Sequence, residues 1–266
     1  MQLTAALSVI SELYRAFCFA LVPTLRDLWF NPMLIFDISR VIMAHVWVGF
    51  AEGTNEEGRQ VKEALITPYA KGVVLDLGAG HGHTVDFLVR SKVTTYIALE
   101  PNHDMHPLLR QRANAAGYLE SDGSFILVPC SASDTQKVLD TIDRGPHPVD
   151  TVISILTICT IPAPERTITL LVRDLLKSGG EFIFHEHVLS HRSDVAWWQK
   201  FWAPLWCLMF DGCRLDRPSH LWIEGMKNMS GTGEEVSMWR EGESWSKPGE
   251  SEENIWWRQQ GRFVKA

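Results

Sequence analysis

A chain of 266 residues and 30.1 kDa suits one large domain, or one domain with an appendage, and can bury a sizeable core without disulfides or metals. Its apolar content of 45% and charged content of 21% exclude a disordered chain. A net charge of -7 with a pI near 5.8 excludes a partner held by phosphate neutralisation, so no nucleic acid is expected.

The first fifty residues are strongly apolar, in stretches such as AFCFALVPTL and LWFNPMLIF. Glu12, Arg15, Arg26, Asp27, Asp37 and Arg40 interrupt them, leaving uncharged runs well below the roughly 18 residues that cross a bilayer. No basic segment followed by a small-residue cleavage site is present, so no signal peptide is expected. Pro23 and Pro32 predict short, broken helices, and 52–70 reads as one more helix closing at Thr67-Pro68. Residues 1–70 therefore read as an apolar helical arm or lid. The arm covers a pocket or a second subunit, as in a homodimer, or lies on a membrane surface; the lack of a Lys/Arg-rich face favours the lid or dimer.

From residue 71 to 190 strands and helices alternate. GVVLDLGAG, TTYIALEP, FILVPC, DTVISILTI and GEFIFHEHV are apolar runs, with helical stretches such as MHPLLRQRANAAG and PERTITLLVRDLLKSGG between them. Near-continuous apolar strands separated by helices predict a doubly wound, Rossmann-like α/β fold with a parallel sheet buried on both faces. Residues 191–266 break that rhythm. All tryptophans except Trp29 and Trp47 lie here, and the segment reads as a Trp-rich cap followed by the last antiparallel strands of the same domain.

The five cysteines, at 18, 130, 159, 207 and 213, form an odd set with no CxxC pair. That fits neither a disulfide framework nor a zinc knuckle, and it points to a reducing, cytoplasmic compartment.

The strongest local signal is VVLDLGAGHGHT over 73–84. An acidic residue, Asp76, closes the first strand, and Gly78, Gly80 and Gly82 follow as GxGxG. Glycine is wanted there because the backbone turns tightly and a ligand must approach it without meeting a Cβ. The second strand ends at Glu100, where a carboxylate can take both hydroxyls of a ribose. The spacing is not the GxGxxG of a dinucleotide fold. This combination resembles the class I S-adenosylmethionine (SAM) methyltransferases over roughly 70–190, including LLKSGG before the fifth strand. The resemblance implies SAM as cofactor, held by Asp76, Gly78, Ala79, Gly80, Gly82, Glu100, Pro101, Asn102 and Ile155. After the third strand, Pro129-Cys130-Ser131-Ala132 stands where the family often has an acid for the adenine amine. Cys130 and Ser131 are the expected neighbours there.

A finer resemblance follows from FIFHEHV, a Trp-rich helix and DGCRLDR, in that order. These are similar to the small microsomal methyltransferase-like proteins that S-methylate alkyl thiols, whose apolar amino terminus is a membrane anchor. This implies association with the endoplasmic reticulum surface. The sequence departs from them in His81 and His83 of the loop, in the missing adenine-side acid, and in a longer tail carrying Trp239, Trp245, Trp256 and Trp257.

Methyl transfer from a sulfonium needs alignment and sometimes a base. Candidate bases are His81, His83, His103, His185 and His187. In HEHV, strand alternation puts His185 and His187 on one face and Glu186 on the other, and these three are the expected catalytic residues. A metal site from His185, His187 and a carboxylate lacks further ligands, so no metal is expected. Trp47, Trp198, Trp202 and Trp206 are expected to line an apolar substrate pocket suited to a small hydrophobic thiol, phenol or secondary metabolite. That chamber admits a second function. Some fungal secondary-metabolite proteins of this fold are pericyclases (Diels–Alderases) that fold a polyketide or pyridone for cyclisation without transferring methyl. Shape and a polarising donor suffice for that chemistry.

Overall fold

The computed structural model describes residues 1–142, 145, 147–229, 231, 233–247 and 249–266. The arm contains α1 (Leu3–Phe30), a short 3-10 turn (Pro32–Asp37), α2 (Ile38–Glu57) and α3 (Arg59–Leu65). Pro32 does start the turn, but the break expected at Pro23 does not occur, because α1 runs through it. A proline inside a helix costs about 3 kcal/mol; burial of Ala16, Ala20 and Thr24 around Pro23, where α1 packs on α2 and on a later helix, offsets it. The helix expected over 52–70 is split at Gly58, its first part continuing α2. By mean hydropathy, charges included, Leu3–Phe30 and Pro32–Glu57 are both long and apolar enough to cross a membrane. Only 22% and 17% of their most apolar windows are buried inside the chain, so the protein's own core does not account for their composition.

The core alternates β1 (Gly72–Leu77), β2 (Val93–Leu99), α4 (His106–Ala115), β3 (Phe125–Val128), α5 (Thr135–Ile142), β4 (Val149–Ile155), α6 (Pro164–Leu175) and β5 (Leu176–His187). The helix expected to extend through LKSGG stops at Leu175, since Gly179 takes a φ of +73° and Leu176 already pairs with Val149. The cap holds α7 (Ser193–Met209) and α8 (Ser219–Glu224), then a separate hairpin of β6 (Lys227–Met229) and β7 (Glu235–Ser237). Two long strands close the chain, β8 (Trp239–Ser246) and β9 (Arg258–Lys265).

Seven strands form one sheet in the order β3-β2-β1-β4-β5-β9-β8. β1 to β5 are parallel, and β9 runs antiparallel between β5 and β8. The doubly wound expectation holds. Side chains alternate across the sheet: Leu75, Leu77, Val152 and Phe184 pack with α5 and α6 on one face, while Val74, Tyr96, Ile153 and Ile183 pack with α3 and α4 on the other. A third cluster joins α1, α2 and α7 through Val9, Ala16, Ala20, Val46, Trp206 and Phe210. It roofs the carboxyl ends of β1 and β4, where the strand order reverses and α/β sheets open their ligand crevice.

Candidate active site

One cavity of about 1190 Å³ occupies that crevice. At one end it is walled by Gly78, Gly80, Glu100, Pro101, Asn102, Ser131 and Ile155. At the other end its wall is Met43, Phe50, Trp206, Leu208, Phe210 and Trp256, with His187 and Cys213 among them. The sheet supplies the first end and the helical roof supplies the second. A narrower crevice of about 60 Å³ adjoins the loop, between Trp47, Lys62, Thr84 and His185.

The loop geometry requires its glycines. Gly78 has a φ of +61°, and a Cβ there would sit 2.5 Å from Cγ2 of Thr157, whose hydroxyl donates to Leu77 O at 2.8 Å and so ties β4 to β1. Gly80 has a φ of +54° and faces Nε1 of Trp47. That indole N–H is buried with no partner, so an unpaired donor points at the loop. Gly78→Val is expected to abolish cofactor binding in calorimetry and lower the melting temperature by several degrees, since strained backbone and steric overlap combine.

Glu100 is held from both sides. Gly80 N–H donates to its Oε2 and Asn102 N–H to its Oε1, each at 2.8 Å. Burial nevertheless pushes the carboxyl up to about 7, against those two bonds. Each oxygen keeps a free lone pair beside the cavity, which suits two adjacent hydroxyls. Asp76 is different. It lies beneath the loop, where it accepts from the Tyr96 hydroxyl at 2.8 Å, and burial raises it to about 7 despite that bond. Its carboxylate lies beneath the loop and lines neither cavity.

The other expected cofactor residues divide similarly. Ala79 lines only the narrow crevice, and Gly82, at a φ of +83°, turns the chain against Leu109 outside both cavities. Cys130 is buried away from the cavity, whose wall passes to Ser131 and Ala132 instead. The strand has ended at Val128, and the irregular segment after it turns two consecutive residues, Ser131 and Ala132, to the wall. Leu99, Met105 and Thr157 also face the cavity, and only the fold reveals them.

Of the expected pocket tryptophans, Trp47 and Trp206 line the cavity and Trp198 and Trp202 do not. Trp202 donates its indole N–H to Ala6 O at 2.9 Å, which pins α7 to α1, and Trp198 stacks edge-on with Trp197 and Phe201. Helical spacing turns those two side chains toward α1. Trp256, at the entry to β9, takes a wall position that periodicity did not indicate.

The triplet His185-Glu186-His187 is resolved by the hydrogen bonds around it. Oε1 of Glu186 accepts from the Ser154 hydroxyl at 2.7 Å, from Thr157 N–H at 2.9 Å and from Ile158 N–H at 3.2 Å. It shapes the turn after β4 and touches neither cavity. His185 faces only the narrow crevice, and burial pushes its pKa down to about 3. His187 alone reaches the wide cavity. Its Nε2 stands 3.2 Å from Sγ of Cys213, which also receives the Trp206 indole N–H at 3.3 Å and lies 3.2 Å from Sγ of Cys159. Burial alone would raise the Cys213 thiol, but its neighbours Cys159, His187 and Trp206 bring it well below its usual value. Among the remaining histidines, His81 is buried and pushed down to about 4 by desolvation, and His83 contacts Glu52 at 3.2 Å.

A methyltransferase-domain family model matches residues 51–221. The chain belongs to the methyltransferase-domain family. Its cofactor is S-adenosylmethionine, and the residues present fit that group: a loop that a Cβ would fill, an unpaired indole N–H beside it, and a doubly held carboxylate at the tip of β2. Human thiol S-methyltransferase TMT1A is 29% identical over 153 residues, which are 57% of this chain and 58% of that protein. Human thiol S-methyltransferase TMT1B is 28% identical over 148 residues, 55% of this chain and 56% of that one. The match thus spans little more than half the length of these relatives. Among solved structures, the YcgJ protein of Bacillus subtilis superposes with a TM-score of 0.51 at 12% identity, covering 80% of this chain and 98% of its own. That likeness is one of fold.

Proposed function

We propose that this methyltransferase-family chain transfers the SAM methyl group to a small hydrophobic thiol while lying on a membrane surface. One observation carries the reading: the cofactor cradle and the aromatic, apolar chamber are two ends of a single cavity. The bound cofactor supplies an electrophilic methyl on a sulfonium. Glu100 holds the ribose hydroxyls, the glycine loop lets the amino-acid end approach the backbone, and Trp47 offers that end its N–H. Phe50, Phe210 and Trp256 exclude water and align an apolar acceptor. Of the three residues expected to be catalytic, His187 is the one that touches the acceptor end, and Glu186 positions the turn beside it. The thiol class is supported by the names of the human relatives.

An acceptor series tests this. Along straight-chain alkyl thiols KM is expected to fall about fourfold per added methylene, the worth of about 0.8 kcal/mol of burial, until the chamber is filled. The matching alcohols should not be methylated. A preference for phenols or alcohols over thiols would remove the thiol assignment.

The membrane reading rests on two exposed stripes. On α1, Leu3, Leu7, Ile10, Tyr14, Phe17, Leu21 and Leu25 recur at spacings of three and four, all exposed. On α7, which packs against α1, Trp197, Phe201, Leu205 and Leu208 do the same. A stripe at that spacing lies along one side of a helix. Insertion as spanning helices would withdraw Trp47 and Phe50 of α2 from the cavity they wall, so the arm lies in the interface.

A further inference from the structure

Three ligating side chains outside the glycine-loop end of the cavity converge on one point. They come from three separate places: Cys159 from the turn after β4, His187 from the end of β5, and Cys213 from the loop after α7. Sγ of Cys213 lies 3.2 Å from Sγ of Cys159 and 3.2 Å from Nε2 of His187, and the three atoms all fall within 4.8 Å of one another. All three residues are buried, yet His187 and Cys213 also face the wide cavity. The cluster is closed on its protein side and open toward the acceptor end.

Two sulfurs and one imidazole nitrogen with a free direction facing a chamber match a zinc site that keeps its fourth position for a ligand. With metal–sulfur bonds of about 2.3 Å, the sulfurs of a tetrahedral site stand roughly 3.8 Å apart, so an ion enters by a small spreading of side chains. The Trp206 indole N–H, 3.3 Å from Cys213 Sγ, supplies the outer hydrogen bond that orients a metal ligand. Arg217 donates to Ile158 O at 2.7 Å and Ile161 O at 2.8 Å, fixing the turn that carries Cys159. Two thiolates and a neutral imidazole around a divalent ion sum to zero charge, which an apolar wall tolerates.

We infer that Cys159, His187 and Cys213 bind one thiophilic metal ion of the zinc type, and that its open position takes the acceptor sulfur as a thiolate. This rests on the thiol methyltransferase reading above. Each cysteine releases its proton to solvent as the metal binds, and the acceptor S–H releases its own as the metal–sulfur bond forms. The acceptor sulfur then uses a lone pair to form the new carbon–sulfur bond. The sulfonium carbon–sulfur bond breaks, and its electron pair stays on the departing thioether sulfur.

Cobalt(II) titrated into the reduced, chelator-treated full chain reads the site without any turnover. One equivalent is expected to bind per chain, with an intense sulfur-to-cobalt charge-transfer band and the ligand-field bands of a tetrahedral centre. Cys159→Ser and Cys213→Ser should each weaken that binding at least about tenfold. An alkyl thiol should shift the ligand-field bands, and the alcohol of equal length should leave them unchanged. Absence of the bands in the unsubstituted chain overturns the metal site, and bands that no thiol moves overturn its role in holding the acceptor. Full thiol methylation by chain kept metal-free under chelator also overturns that role and leaves the methyltransferase reading intact. Thiol-sensitive cobalt bands without methylation of any thiol support the site and remove the methyltransferase reading.

Discussion

Glu100→Gln is expected to weaken SAM binding at least tenfold in calorimetry. The wild-type carboxylate takes a backbone N–H on each oxygen, from Gly80 and Asn102. An amide of the same shape must turn its NH2 toward one of those donors, and it loses the charge that strengthens bonds from ribose hydroxyls. Tenfold corresponds to about 1.4 kcal/mol, modest for two charge-assisted bonds. A pH dependence accompanies it. Burial holds Glu100 up at about 7, and hydroxyl donors favour the ionised form. SAM affinity should therefore rise with pH, level off above 7, and fall about tenfold per unit between pH 7 and 5. Asp76 also sits at about 7, so the variant separates the two: the part of the slope due to Glu100 disappears in Glu100→Gln. Unchanged affinity in the variant would remove Glu100 from the cofactor site.

The second large effect concerns the arm. A chain carrying Phe17→Glu, Trp29→Glu and Phe201→Glu is expected to lose at least 100-fold of its partition onto phospholipid vesicles in a flotation assay. All three side chains are exposed, none walls either cavity, and each large apolar side chain withdrawn from water is worth about 1.5–3 kcal/mol. SAM affinity should stay as in the parent. Unchanged flotation would contradict the interfacial reading. A parent that forms a dimer in vesicle-free buffer, broken by the same three changes, would assign this face to a second copy.

Local chemistry was legible in the sequence where one short segment carries it. Gly78, Gly80 and Glu100 announce themselves because a strand, a tight turn and a strand-tip acid are contiguous features, and the structure sets all three on one cavity wall. The alternating apolar runs likewise predicted β1 to β5. Pro23 misled because helix continuity there is decided by packing on α2 and α7, which intrinsic propensity does not contain. Residue type alone assigns Trp198 and Trp202 to the pocket, whereas their direction depends on where α7 meets α1. Cys159, His187 and Cys213 carry no recognisable spacing; only the return of α7 over the ends of β4 and β5 joins them. Glu186 shows the converse, an ionisable residue in a suggestive motif whose carboxylate is used by the turn at Thr157 and Ile158.

The most direct measurement incubates the purified full chain with methyl-labelled SAM and a long-chain alkyl thiol, and follows both by mass spectrometry. A labelled thioether and an equal amount of S-adenosylhomocysteine are the expected products. SAM that stays bound and unconsumed, while a polyene pyridone is converted to a product of unchanged mass, would contradict methyl transfer and make the chamber a site of cyclisation.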